Sequence, residues 1–139
     1  MAAPAIDAEL DRLRRAGPTE DREVAAVVRA YLEQVRGHLA ELHRATRSGR
    51  VVNEANSDLI DRLIRRLFNL AEERILSEGG QLEPGVCVVA VGGYARREMS
   101  VYSDVDLLIL YRDHLSPYVT TIAERLQYWL WDAGVTVGC

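Results

Sequence analysis

Val88-Val89-Ala90-Val91-Gly92-Gly93, followed by Asp104-Val105-Asp106-Leu107-Leu108-Ile109-Leu110, decides how this chain folds. An apolar run enters a Gly-Gly turn, and a second apolar run opens with two carboxylates in alternation. The two runs read as strands. Side chains alternate faces along a strand, so Asp104 and Asp106 share a face, with Cα atoms about 6.6 Å apart. Beside them, glycine lets the main chain approach a ligand closely. Two acids next to such a turn suit Mg²⁺ and phosphate groups.

Working outward, the period upstream is helical. Residues 5–16 make a short, weakly amphipathic helix, with Asp7 as N-cap and Leu10 and Leu13 apolar; Gly17-Pro18 ends it. Thr19 then caps a long helix over about 20–47. Its stripe is Val24, Val27, Val28, Tyr31, Leu32, Val35, Leu39 and Leu42, and Ser48-Gly49 closes it. After a short link, Asn56 or Ser57 starts another helix. Leu59, Ile60, Leu63, Ile64, Leu67, Leu70 and Ala71 form its apolar face, opposite Asp61, Arg62, Arg65, Arg66 and Glu73, and Gly79-Gly80 ends it. The two long helices are expected to pack antiparallel or to form two walls against a sheet.

Downstream, Val86–Val91 is expected as a buried strand, Tyr94–Met99 as a turn or one helical turn, and Val105–Tyr111 as the second strand. Pro117 opens a helix to about Asp132, with Ile122, Leu126, Trp129 and Leu130 on its apolar side. Gly134 breaks that helix and Val135-Thr136-Val137 begins a third strand. A strand that stops so soon suggests the N-terminal piece of something longer.

Composition narrows the function. With 139 residues and a formal charge of −4, the chain is one ordinary domain without the basic excess of a nucleic-acid-binding module. No apolar stretch approaches the roughly 18 residues of a membrane span. Met1-Ala2-Ala3-Pro4-Ala5 has neither the basic head nor the apolar core of a signal peptide. Cys87 and Cys139 are too few and too far apart for a metal cluster or a disulfide framework. Cys87, inside an apolar run, is expected to be buried. A reducing cytoplasm fits these features. All 17 basic residues are arginine, which excludes a lysine Schiff base and a Walker-type phosphate loop. Any cationic side chain that meets phosphate here is a rigid guanidinium fork.

Nucleotidyl transfer would explain the residue types around the turn. A triphosphate needs Mg²⁺ across its oxygens, and carboxylates plus water and phosphate make up the ion's usual ligand set. Asp104 and Asp106 supply the carboxylates, Gly92 and Gly93 let N–H groups near the phosphates, and Ser103 adds a hydroxyl. Taken singly, Asp104 reads first as a solvated acid at a strand entry, and Gly92-Gly93 as an ordinary turn. Asp106 resists that reading, because a carboxylate beside Leu107-Leu108-Ile109-Leu110 needs a cation or strong donors.

Gly92-Gly93-Tyr94-Ala95-Arg96-Arg97-Glu98-Met99, with Tyr102-Ser103-Asp104-Val105-Asp106-Leu107-Leu108, resembles the polymerase-beta-like nucleotidyltransferase superfamily. Within it, the likeness is to the nucleotidyltransferase domain of bacterial PII uridylyltransferase/uridylyl-removing enzymes. It extends to Asp61-Arg62-Leu63-Ile64-Arg65-Arg66-Leu67-Phe68 and to Leu130-Trp131-Asp132-Ala133-Gly134-Val135-Thr136-Val137-Gly138, and covers roughly 20–138. The resemblance implies an α/β (α+β) fold: a small mixed sheet with long N-terminal helices, incomplete at the C-terminus. It divides the chain into a short helix or tail over 1–18, a helical region over 19–84 and a nucleotidyltransferase core over 85–139.

The resemblance also implies Mg²⁺-dependent transfer of UMP from UTP to a tyrosine of the PII signalling protein. Asp104 and Asp106 match the metal-binding catalytic acids, Gly92 and Gly93 the phosphate-binding turn. Arg96 falls where it can reach phosphate, and Glu98 where it holds the turn; packing under the turn suits Tyr94 better than base stacking. Ala95 and Arg97 depart from glycines common in such sequences, and Cys139 from an expected histidine. The family's third carboxylate has no candidate, since Asp113 and Asp132 lie in a loop and at a helix end. The isolated chain is therefore expected to transfer poorly. The alternatives are a non-catalytic relic of such an enzyme, or a nucleotidyltransferase acting on another protein or a small molecule.

Overall fold

The computed structural model describes residues 20–92, 96, 105–135 and 137–138, together with Ala8 and Arg12. Of the helix expected over 5–16, only Ala8 and Arg12 are described, both helical. Asp7, Leu10, Leu13 and Thr19 lie outside the described residues, as do Thr136 and Cys139.

Helix α1 spans Asp21–Thr46 and buries Val24, Val27, Val28, Tyr31, Leu32, Val35 and Leu39, the stripe its spacing dictates, with Leu42 packed at the margin. Glu20 occupies its N-cap in an extended conformation, with no side-chain cap bond. Asp21 and Glu23 bring negative charge to the first turn, where the helix dipole favours it.

The end of α1 corrects the sequence reading. Ser48-Gly49 does not lead into a link. Arg47 takes a left-handed conformation (φ 55°), and Ser48 immediately caps helix α2, Gly49–Ser77, its side chain accepting from Val51 N–H at 3.2 Å. Thr46 Oγ1 accepts from Ser48 N–H at 3.3 Å and donates to Leu42 O at 2.8 Å, which tightens the corner. Asn56 and Ser57, expected as caps, are buried two turns inside α2, where Ser57 Oγ donates to Asn53 O at 3.0 Å. A serine before glycine satisfies either a stop or a start, and packing of Val52 chose the start.

The far end of α2 follows its glycines. Gly79 has φ +84°, its N–H donates to Leu76 O at 3.1 Å, and Gly80 N–H donates to Ile75 O at 2.8 Å. These are the two bonds of a Schellman stop. Helix α3, Pro117–Asp132, ends the same way: Gly134 (φ +89°) donates to Trp131 O, and Val135 N–H to Leu130 O at 2.8 Å. Ser116 caps α3 by accepting from Val119 N–H at 3.2 Å.

Asp21 in the first turn of α1 meets Arg74 in the last turn of α2, so the two long helices run antiparallel. Helix α3 packs against both. Tyr31 and Trp129 are fully buried at the centre, and Tyr31 OH donates to Leu59 O. Burial raises the Tyr31 phenol above its ordinary pKa. The Tyr118 phenol is raised as well, by burial first and then by the Glu72 carboxylate to which it donates at 2.6 Å. Among the described residues no helix is long and apolar enough to cross a membrane.

Among the described residues three strands pair in the order β1-β2-β3: β1 Cys87–Ala90, β2 Val105–Leu110 and β3 Val137–Gly138. The sheet is mixed. β1 and β2 are antiparallel, with Cys87 opposite Leu110 and Ala90 opposite Leu107, while β3 joins β2 in parallel after the α3 crossover. One face packs on the helices. Val105 and Leu107 are buried there, and Val86, Val88, Ala90 and Ile109 pack against the same core. Leu108 and Leu110 point the other way and are 45% and 47% exposed. The expectation of a buried first strand is therefore corrected: Cys87 is exposed and Val88–Ala90 are half-buried. β3 is described at Val137–Gly138, and Val135, expected as its first residue, is not in a strand.

The three helices are tied at one end by a single carboxylate. Asp21 accepts from Arg74, from Arg125, and from Trp129 Nε1–H at 3.0 Å, while the Arg74 guanidinium lies 5.2 Å from the centre of the Trp129 ring. Burial alone would raise the pKa of Asp21. The Trp129 and Arg74 hydrogen bonds and both guanidinium charges outweigh it, and the net shift is downward. A carboxylate depressed in the folded state stabilises above its unfolded pKa, about 3.9, and that contribution is lost as pH falls through the folded value. Asp21→Asn should cost about 1.5–3 kcal/mol at pH 7, the range for hydrogen bonds to charged groups. Urea unfolding at pH 7 and at stepwise lower pH checks this: the gap between wild type and variant should be widest at pH 7 and narrow progressively as pH falls below the unfolded value.

Candidate active site

The site grows from the alternation of β2. Val105 and Leu107 enter the helix-packed core, so Asp106, half-buried between them in sequence, lies on the opposite face with Leu108 and Leu110. The neighbouring strand brings the glycine turn to it. Val91 N–H donates to Asp106 O at 3.0 Å, extending the β1–β2 ladder by one pair, and Gly92 follows directly.

Gly92 is positioned where only glycine fits without rearrangement. Its φ is +62°, and a Cβ placed on it would lie 2.9 Å from Asp106 Oδ2 and 3.7 Å from Cγ. The carboxylate therefore lies against the bare Cα of the turn, and Gly92 is needed both for its conformation and for this approach. Gly92 O accepts from Arg96 N–H at 3.3 Å, which ties the Arg96 main chain back to the glycine. Arg96 is exposed.

Three of the site residues read from the sequence are thus described, and the fold brings Gly92 against Asp106, with the Arg96 main chain bonded back to Gly92. Gly93, Ser103 and Asp104 lie outside the described residues, as do Tyr94, Ala95, Arg97, Glu98 and Met99. Asp113 is in the bend after β2 and Asp132 is the last residue of α3, as expected. Among the described residues no three His, Cys, Asp or Glu side chains converge on a metal position.

Sequence reasoning missed the floor beside the acid. Opposite Leu110 and Leu108 in the register stand Cys87 and Val89, so an apolar surface extends from Asp106 across both strands on the open face. The unbroken apolar run of β2 reads as a strand buried on both sides. Nothing in its pattern marks which side is left open.

Comparison with known proteins identifies the family. The family model described as "Putative nucleotidyltransferase DUF294" matches residues 33–138. The chain is similar to the bifunctional uridylyltransferase/uridylyl-removing enzyme of Rhodospirillum rubrum, with 36% identity over 126 residues, 86% of this chain and 14% of that protein. The same-named enzyme of Cereibacter sphaeroides is 32% identical over 139 residues, 96% of this chain and 15% of the relative. That of Streptomyces coelicolor is 37% identical over 94 residues, 68% and 10% respectively. The chain thus spans a small part of the length of the curated relatives it matches. No solved structure matches it at a significant level. With its turn and strand acid placed as described and its family model covering most of its length, the chain belongs to the DUF294 nucleotidyltransferase family.

Proposed function

We propose that this nucleotidyltransferase domain takes UMP from UTP, with Mg²⁺ held by Asp106 and Asp104, and passes it to a tyrosine of the PII signalling protein. The observation that carries the reading is the contact between the Asp106 carboxylate and the Cβ-free Gly92. The names of the relatives support uridylyl transfer. The choice of PII as acceptor rests on the family resemblance of the motif residues.

The donor set suits the ion. Mg²⁺ prefers carboxylate oxygen completed by water and substrate phosphate. Asp106 Oδ2 lies against the bare Cα of Gly92, which carries no side chain of its own to cover it. When bound there, the cation would neutralise phosphate charge and polarise the phosphoryl oxygens. Asp106 anchors that charge on a paired strand, so the carboxylate needs little reorganisation. Gly92 permits close approach of the main chain, and Arg96 brings a guanidinium fork within a turn of it. Leu108 and Leu110 offer an apolar surface to the uncharged part of a nucleotide.

Calorimetry with UTP, with and without Mg²⁺, on wild type and Asp106→Asn tests this reading. Affinity should depend on Mg²⁺ in the wild type and fall about tenfold or more in the variant, which keeps the shape but loses the charge. Equal affinity in all four combinations would overturn it.

Gly92→Ala probes the geometry. The positive φ alone costs an L-residue roughly 1–2 kcal/mol, and the added methyl would press on Asp106 Oδ2. Thermal unfolding should show a lowered Tm, and Mg²⁺-dependent UTP binding should weaken beyond what the residual unfolded fraction explains.

A further inference from the structure

We propose that the edge of β1 left unpaired among the described residues, together with the cleft between β1 and α2, binds an extended peptide as an added strand. Among the described residues β1 pairs only with β2. Hydrogen-bonded and non-hydrogen-bonded pairs alternate along an antiparallel ladder. The Val91–Asp106 bond sets the phase, so Val89 and Cys87 also aim their main-chain groups at β2. Val88 and Ala90 therefore aim theirs outward, toward the edge.

The side chains of the same two residues turn toward the helices. They line a cleft of about 480 Å³ whose other wall is α2, with Asp61, Arg65, Phe68 and Asn69. A helix on one side and an open strand edge on the other is the shape that recruits an extended chain: main-chain bonds hold it, and its alternate side chains enter the cleft. Edge strands that must stay unpaired carry charges, proline or bulges. Val86–Val91 has none of these.

The rim indicates the chemistry of the guest. The Arg65 side chain is 81% exposed, and its contact with Asp61 is 3.7 Å long. An exposed pair of that kind is worth about 0–1 kcal/mol and exchanges readily for another carboxylate. Phe68, Val88 and Ala90 supply an apolar floor. The occupant is thus an extended segment of a partner protein, with apolar residues facing the cleft and an acidic residue beside Arg65. This surface lies on the helix side of the sheet, away from Asp106, and does not depend on the transferase reading.

A fluorescein-labelled nonapeptide of alternating valine and glutamate, titrated against the 139-residue chain by fluorescence polarisation, tests the proposal. Saturable binding is expected. N-methylation of one alternate set of peptide amides should weaken it about tenfold or more, and methylation of the other set should leave it unchanged, because only one set can face β1. Arg65→Glu, an exposed change that spares the fold, should also weaken binding about tenfold. Hydrogen exchange by NMR should show the Val88 and Ala90 amides slowed by the peptide. Absence of saturable binding, equal effects of the two methylated sets, or unchanged exchange at Val88 and Ala90 would overturn the proposal. So would sedimentation showing that the chain pairs with itself through this edge.

Discussion

One-sided burial of β2 is the constraint on which the candidate site depends. The strand alternates between a face packed on helices and a face left open, and a register slip of one residue would exchange the two. Val105 and Leu107 are held in the core at 3% and 4% exposure, which leaves Asp106 no choice of side. Pairing with β1 then places Gly92 against its carboxylate. Packing on one face thus sets chemistry on the other.

A sheet this small does not stand alone; strands of four, six and two residues need a helical platform to bury one face. The platform is built from α1, α2 and α3, and it is closed at one end by Asp21. That carboxylate gathers Arg74, Arg125 and Trp129 Nε1, so one acid links the start of α1 to the end of α2 and to α3. A partly buried carboxylate with several cationic and neutral donors is satisfied, whereas the arginines left without it would be costly. Nothing in the sequence singles Asp21 out from its neighbours Glu20 and Glu23. Its role exists only once three distant segments converge.

Much of the helical architecture could be read directly. The spacing from Val24 to Leu39 and the glycines at 79 and 134 identify faces and stops, because capping and amphipathicity are local effects. Ser116-Pro117 marks the start of α3 for the same reason. The misreading at Ser48-Gly49 arose because the same residues serve equally as a stop and as a cap. Only the burial of Val52 and the mid-helix burial of Asn56 and Ser57 distinguish the two. The exposure of Cys87 was hidden similarly, since an apolar strand gives no sign of which of its faces is left uncovered.

For the site, the residue types and their order were in the chain: a glycine turn, a strand acid two positions from another, and an arginine one turn on. Those are short-range properties, carried by φ preferences and the period of two. Tertiary structure alone decided that Gly92 abuts Asp106 Oδ2, that Leu108 and Leu110 lie open beside the acid, and that β1 faces a cleft whose other wall is α2. These depend on which elements pack together. Packing is a property of surfaces brought from distant parts of the chain, and no local pattern encodes it.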